Sequence, residues 1–176
     1  MSLDEQEDVR LDATDVGILR ALHRHPRITV VSLAESLQLA RSTVQARLAR
    51  LEALGVLGAN EAHRIPQLLG FEITAFVRVE VRQQDFERLS GDLRKIPEVL
   101  EAHGVTGDGD VVCKIVARNA ADLGRVTRAI TDCYGAQRSR TSVVMRDVLG
   151  YRVEPLLDQS IRPSGGRKRK SASRRT

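Results

Sequence analysis

Residues 41–50, RSTVQARLAR, place two hydroxyls, one amide and three arginines within ten positions. At about 100° per residue, Val44, Leu48 and Leu51 fall on one side of a helix. Ser42, Ala46, Ala49 and Arg50 fall on the opposite side, Thr43 and Gln45 at its shoulders, and Arg41 and Arg47 beside the apolar stripe. Such an outer face suits the major groove of DNA. Small side chains permit close approach, Gln pairs with adenine edges, and Arg pairs with guanine or phosphate. The window Arg20–Arg50 holds six Arg against a single acid, Glu35, a local +5, together with His23 and His25. An ordinary solvated helix could carry the same residues, so the neighbouring elements must decide between the two readings. DNA-contacting candidates are Arg41, Ser42, Thr43, Gln45, Ala46, Arg47 and Arg50.

A second constellation is Gly107-Asp108-Gly109-Asp110. The glycines can expose backbone amides that suit a carboxylate, and the aspartates can accept from an ammonium. Together they would make an amino-acid clamp, although the pattern by itself reads first as a turn between strands. His103 is the best catalytic temptation, but it has no nucleophile beside it, and a lone strand histidine is usually a hydrogen-bonded structural residue. Asp108-x-Asp110 lacks the further ligands of a metal loop. Neither a catalytic residue nor a metal site nor a cofactor is assigned. Cys113 and Cys133 fit neither a metal spacing nor a disulfide framework, and read as buried thiols of a reducing cytoplasm.

The elements that must position these groups follow from periodicity. Asp12 can cap a first helix carrying Val16, Ile18, Leu19 and Leu22, which His25-Pro26 stops. Thr29 or Ser32 can cap a second, with Leu33, Ala34 and Leu37 inward. The third runs from Arg41 to Leu54, with Gly55 closing it. Three short helices joined by tight turns over residues 11–57 predict a helix-turn-helix domain. Residues 58–71 read as a linker. Residues 72–155 predict the order β-α-β-β-α-β: strands at Ile73–Val81, Val99–Val105, Val111–Ala117 and Ser139–Gly150, helices at Asp85–Lys95 and Asn119–Tyr134. The predicted fold class is therefore α+β, a helix-turn-helix domain followed by a ferredoxin-like βαββαβ domain. Residues 1–10 and 156–176 read as flexible ends.

Charge is unevenly distributed along the 176 residues. Lys plus Arg total 28 and Asp plus Glu 23, yet seven of the bases lie beyond Ile161. Residues 1–161 are thus net −2 and the tail +7, which together make the whole-chain +5. Any nucleic-acid contact by the body must come from a local patch. The tail run Arg167-Lys168-Arg169-Lys170 would not fold alone and could serve as an arm on DNA phosphates. Aromatics are only 3% of the chain, which argues against a binder that stacks single-stranded bases. No stretch is long and apolar enough for a membrane span, and the acidic start MSLDEQEDVRLD lacks a signal peptide's apolar run. A cytoplasmic location is expected.

The stretch LDATDVGILRALHRHPRITVVSLAESLQLARSTVQARLARLEALGVL resembles the DNA-binding half of the leucine-responsive regulator (Lrp/AsnC) family. The match runs through Leu11, Asp12, Asp15, Ile18, Leu19, Leu22, Arg27, Ile28, Leu33, Ala34, Arg47, Leu51, Glu52 and Gly55. HGVTGDGDVVCKIVA and RTSVVM resemble motifs of the family's second half. The resemblance implies a winged-helix-like head on a domain that responds to an amino acid or related metabolite. It further implies homodimers, commonly assembled into octamers, on double-stranded DNA. By correspondence it adds Val105, Thr106 and Thr141 to Gly107, Asp108, Gly109 and Asp110 as effector-binding candidates. The chain departs from the pattern at Gln38 (often a turn Gly), at Ala40 (often a capping Ser), at Gly109 (usually Tyr or Phe) and at Val111-Val112, where an aromatic often follows. A ligand-independent architectural DNA-binding protein is the alternative that Gly109 supports.

Overall fold

The computed structural model describes residues 10–57, 64–107 and 109–161. Helix α1 (Ala13–Arg24) begins with a reciprocal capping box. The Asp12 carboxylate accepts from the Asp15 N–H at 2.9 Å, and the Asp15 carboxylate accepts from the Asp12 N–H at 3.2 Å. The helix ends at His25, ahead of Pro26. Helix α2 (Val30–Leu37) is capped by Thr29, which accepts from the Ser32 N–H at 3.2 Å. It closes through Gln38 at φ 54°, the one non-glycine with positive φ among the described residues. The Gln38 and Leu39 amides return to the Glu35 and Ala34 carbonyls, so Gln38 does the work of the terminating glycine.

Helix α3 (Arg41–Ala53) starts at Arg41 with no side-chain cap, because Ala40 occupies the capping position. Its end is a Schellman closure: Gly55 at φ 65° donates to Glu52 O and Val56 to Leu51 O. The three helices enclose Ile18, Leu33, Ala34, Val44, Leu51 and Val56. The predicted linker is not wholly a linker. Residues 65–68 form a short helix, α4 (Ile65–Leu68), and Ile65 and Leu68 pack on this core. The Leu68 carbonyl accepts from the Leu11 N–H at 3.0 Å, so the segment is tied back to the start of the domain.

The second core is built on a four-stranded antiparallel sheet in the order β2-β3-β1-β4. The strands are β1 (Ile73–Val81), β2 (Val99–Gly104), β3 (Val111–Ala117) and β4 (Ala136–Val143), with helices α5 (Phe86–Leu93) and α6 (Ala120–Thr131) between them. This is the expected ferredoxin-like arrangement. Period-2 alternation sends Ala75, Val77, Val79 and Val81 of β1 to one face, where they meet Val111, Cys113 and Ile115 of β3. Leu89 and Leu93 of α5 and Val126 and Ile130 of α6 cover that face.

Several boundaries differ from expectation: α5 and α6 are shorter than the predicted Asp85–Lys95 and Asn119–Tyr134, α6 ending three residues early at Thr131, and β2 ends at Gly104. β4 starts three residues earlier than predicted and stops at Val143. The Val144 N–H makes the last bond, to Thr74 O, beside the start of β1 at Ile73; beyond it the strand has no ladder partner among the described residues. Residues 154–161, partly assigned to the flexible end, form helix α7 (Glu154–Ile161). Pro155 stands in its first turn, where a missing N–H costs nothing.

Candidate DNA-reading helix and effector loop

The three helices hold α3 so that Val44 and Leu51 are fully buried while Arg41, Ser42, Thr43, Gln45, Ala46 and Ala49 are exposed. The predicted outer face is therefore present over the first half of the helix. Its second half is arranged differently. Arg47 Nη1 donates to the Asp12 carboxylate and, at 3.2 Å, to Asp15 Oδ1. Arg50 Nη1 donates to Asp15 Oδ2, and its Nη2 donates to the Arg10 carbonyl at 3.2 Å. Asp15 has no solvent exposure. It accepts from two guanidiniums and one backbone amide, so its charge is compensated on every side. Arg47 and Arg50, expected at the DNA surface, are here the clamp that fastens α3 to the start of α1. The wheel places side chains around one helix only, whereas these partners lie more than thirty residues away in the chain.

The clamp also sets protonation. The Asp15 amide holds the Asp12 carboxyl below its usual range; burial opposes it, and the Arg47 guanidinium adds to the lowering. Arg47 is held further into its charged form by Asp12 and Asp15. The remaining basic side chains near the head, Arg20, Arg24, Arg27 and Arg41, are exposed, as are His23 and His25.

The turn between β2 and β3 is anchored by backbone bonds. Val105 N–H donates to the Asp110 carbonyl at 2.9 Å, and Asp110 N–H to the Val79 carbonyl at 3.0 Å. The Asp110 carboxylate accepts from the Val81 N–H at 2.8 Å, where the β1–β4 register shifts between Glu80 and Val81. One oxygen of Asp110 thus supports the strand rather than awaiting a ligand. Gly107 and Gly109 have φ of 102° and 87°, conformations that favour glycine. Val105, Thr106 and Gly107 are exposed, and Gly109 and Asp110 are half-buried. Asp108 and the tail residues Arg167, Lys168, Arg169 and Lys170 lie outside the described residues. Thr141 is not brought to this turn: it pairs with Val77 on the helix-covered side, beside Thr127 and Thr131 of α6. A cavity of about 400 Å³ lies between α5 and β2, lined by Phe86, Leu93, Arg94, Leu100, Ala102 and Gly104, and periodicity gave no signal of it.

His103 sits exposed on β2, its Nε2 3.3 Å from Glu101 Oε2, and Lys114 donates to the other oxygen of Glu101 at 3.3 Å. It is a surface residue in polar contact with Glu101. Among the described residues, no group of His, Cys, Asp and Glu is placed to hold a metal ion, and no helix is long and apolar enough to cross a membrane.

Comparison with known proteins agrees with this geometry. Residues 11–57 match a winged helix-turn-helix DNA-binding family and residues 74–153 match the Lrp/AsnC ligand binding domain. The chain is 29% identical to the HTH-type transcriptional regulator FL11 of Pyrococcus furiosus over 77% of this chain and 90% of that one. It is 31% identical to the proline dehydrogenase transcriptional activator of Rhodobacter capsulatus, over 66% of this chain and 77% of that protein. The fold is similar to that of E. coli AsnC, with a TM-score of 0.50 and 23% identity over 82% of this chain and 99% of that one. A helix-turn-helix head with an exposed polar face on its third helix, followed in order by an Lrp/AsnC ligand-binding fold, makes this chain a DNA-binding transcriptional regulator of the Lrp/AsnC family.

Proposed function

We propose that the first half of α3 reads the major groove, with Gln45 and Arg41 contacting base edges and Ser42, Thr43 and Ala46 allowing close approach. The observation that carries this is the division of α3: Arg41, Ser42, Thr43, Gln45 and Ala46 are exposed, while Arg47 and Arg50 are turned back onto Asp12 and Asp15. Recognition helices present their N-terminal residues to base edges. Arg20, Arg24 and Arg27 supply phosphate contacts that orient the head. In this reading the protein acts in the cytoplasm as a homodimer whose paired heads fit a palindromic site, and dimers assemble into octamers.

The βαββαβ domain senses an amino acid or related metabolite at residues 105–110, and ligand binding shifts the assembly or its heads, a coupling of about 1–3 kcal/mol between the two sites. The basic tail adds sequence-independent affinity. Each phosphate it neutralises would steepen the salt dependence by about 0.9 in slope. Selection of bound duplexes from random sequence, at fixed salt, tests the assignment. Gln45→Ala and Arg41→Ala should change the enriched motif; if neither does, α3 does not read DNA in this way. Removing residues 163–176 should lower affinity and the salt slope while the motif stays the same.

A further inference from the structure

On the helix-covered side of the sheet, α5 leaves part of β2 bare. β2 is an outer strand, paired with β3 alone. Ala102 and Gly104 stand opposite the buried Cys113 and Val111 and so face the helices, yet both are exposed. The gap above them is the cavity of about 400 Å³ between α5 and β2. That volume lies within the range of about 300–1,000 Å³ typical of small-molecule sites. It opens on the side of α5 and α6, so a second copy seated on the other face of the sheet would leave it open.

The two ends of this cavity differ chemically. Phe86, Ser90 and Arg94 follow one another at single-turn spacing along one side of α5, a row about 12 Å long, and all three line the cavity. At the first end the Phe86 ring stands against β2: a Cβ built on Gly104 would lie 3.6 Å from Phe86 Cε1. Ala102 and Val111 continue that apolar wall. At the other end are a hydroxyl, Ser90, and a guanidinium, Arg94, neither tied to another side chain among the described residues. The lining contains one acid, Glu101. Both its oxygens are engaged, one by Lys114 Nζ and one by His103 Nε2, each at 3.3 Å.

A carboxylate at the Arg94 end would accept charge-assisted hydrogen bonds from the guanidinium and a further bond from Ser90, while an apolar body covered Phe86 and Ala102. An ammonium beside that carboxylate would find no free acid. An α-amino acid therefore carries one charge too many for this place. We infer that the α5–β2 cavity is a second small-molecule site, separate from residues 105–110, and that it takes an apolar monocarboxylate lacking an amino group, such as an aryl-alkanoic or medium-chain acid. The inference does not depend on the reading of residues 105–110 as the effector loop.

Calorimetric titration of the full chain with 3-phenylpropanoate, octanoate, L-phenylalanine and 3-phenylpropan-1-ol tests it. At least one of the two carboxylates should bind. L-phenylalanine, which differs from 3-phenylpropanoate by its ammonium, should not displace it, and the alcohol should bind at least about tenfold more weakly. Arg94→Gln should weaken carboxylate binding by about ten- to a hundredfold, the loss of a hydrogen bond to a charged group. Ala102→Leu, which fills the apolar end, should abolish it. Both positions are exposed, so both variants should melt with the wild type; if Ala102→Leu misfolds, Arg94→Gln alone decides. Equal affinity for the alcohol, displacement by L-phenylalanine, or carboxylate binding that survives both variants overturns the inference. So does the failure of both carboxylates to bind, which would make the cavity a surface for another chain to cover.

Discussion

Arg50 donates to a carboxylate, that of Asp15, which has no contact with solvent, and Arg47 donates to the other oxygen of the same group. Helix α3 is therefore fixed to the head by a buried ionic joint as well as by Val44 and Leu51. Removing one member of a buried pair commonly costs about 3–5 kcal/mol. The two guanidiniums here are about one-third exposed, at 32% and 38%, so water would absorb part of the loss. Asp15→Asn should therefore destabilise by about 2–3 kcal/mol. The midpoint of urea unfolding measures it, and a loss below about 0.5 kcal/mol, the usual range for an exposed pair, would remove the joint from the explanation.

The same joint separates two kinds of arginine on α3. Arg47→Ala should weaken binding to all duplexes alike, because α3 is less well held, and should leave the preferred motif as it was. Gln45→Ala should alter preference at one position, by about 1–3 kcal/mol against the wrong base. Competition binding with single-position operator variants distinguishes them. A change of base preference in Arg47→Ala would return Arg47 to the reading face.

Acid should loosen the head in a defined direction. The Asp12 carboxyl is held below its ordinary value by the Asp15 amide and by Arg47. A group depressed in the folded state contributes stability above its unfolded pKa, near 3.8, and loses it as pH falls through the lower folded value. Stability should therefore decline below about pH 4 more steeply in the wild type than in Asp12→Asn. Parallel acid limbs in chemical denaturation from pH 6 to pH 2 would contradict this.

What was legible in the sequence was periodic or local. β1 was read to the residue because ITAFVRVEV alternates without interruption and its core face is continuous. The caps at Asp12 and Thr29 involve partners three residues away. The second role of Asp12 and Asp15 was invisible, since it depends on residues 32 to 35 positions distant. For the same reason the wheel set Arg47 beside the apolar stripe but could not show that it and Arg50 pair with Asp12 and Asp15. The end of β4 depends on where β1 begins, and the packing of Ile65 and Leu68 depends on a core formed by other elements. At the 107–110 turn, Gly107 and Gly109 announced a turn, while the arginines beside it, Arg78 and Arg140, are assembled only by the β1–β4 register.

Gln38 and Ala40 are two places where the chain departs from favourable local chemistry without changing the fold. Gln38 adopts φ 54° and ψ 42°, where a Cβ costs about 1–2 kcal/mol. Glycine relieves that but gains freedom in the unfolded chain, so Gln38→Gly should stabilise by about 0.5–1 kcal/mol. Ala40 leaves α3 without a side-chain cap, and Ala40→Ser should add about 1 kcal/mol. Thermal unfolding of the single and double variants checks both; a loss of stability in Gln38→Gly would mean that its side chain contributes more than its backbone strain costs.

Gly135 is the position in the sheet domain least able to accept a side chain. It turns the chain from α6 into β4 at φ 83°, and a Cβ there would lie 2.5 Å from Asp85 Cβ and 3.1 Å from its Cγ. Asp85 cannot withdraw freely: it is buried, and Arg82 Nε donates to its carboxylate at 3.0 Å. Gly135→Ala must therefore strain the backbone and displace a buried, ion-paired residue at once. Overpacking of this kind costs about 1–3 kcal/mol, and the left-handed backbone adds about 1 kcal/mol more. The variant should lose at least about 2 kcal/mol in urea unfolding. Gly124→Ala is the control, since that helical glycine has open space around its missing side chain; alanine there should be neutral or stabilising by up to about 1 kcal/mol. Equal effects at the two sites would mean that the Asp85 contact yields at little cost.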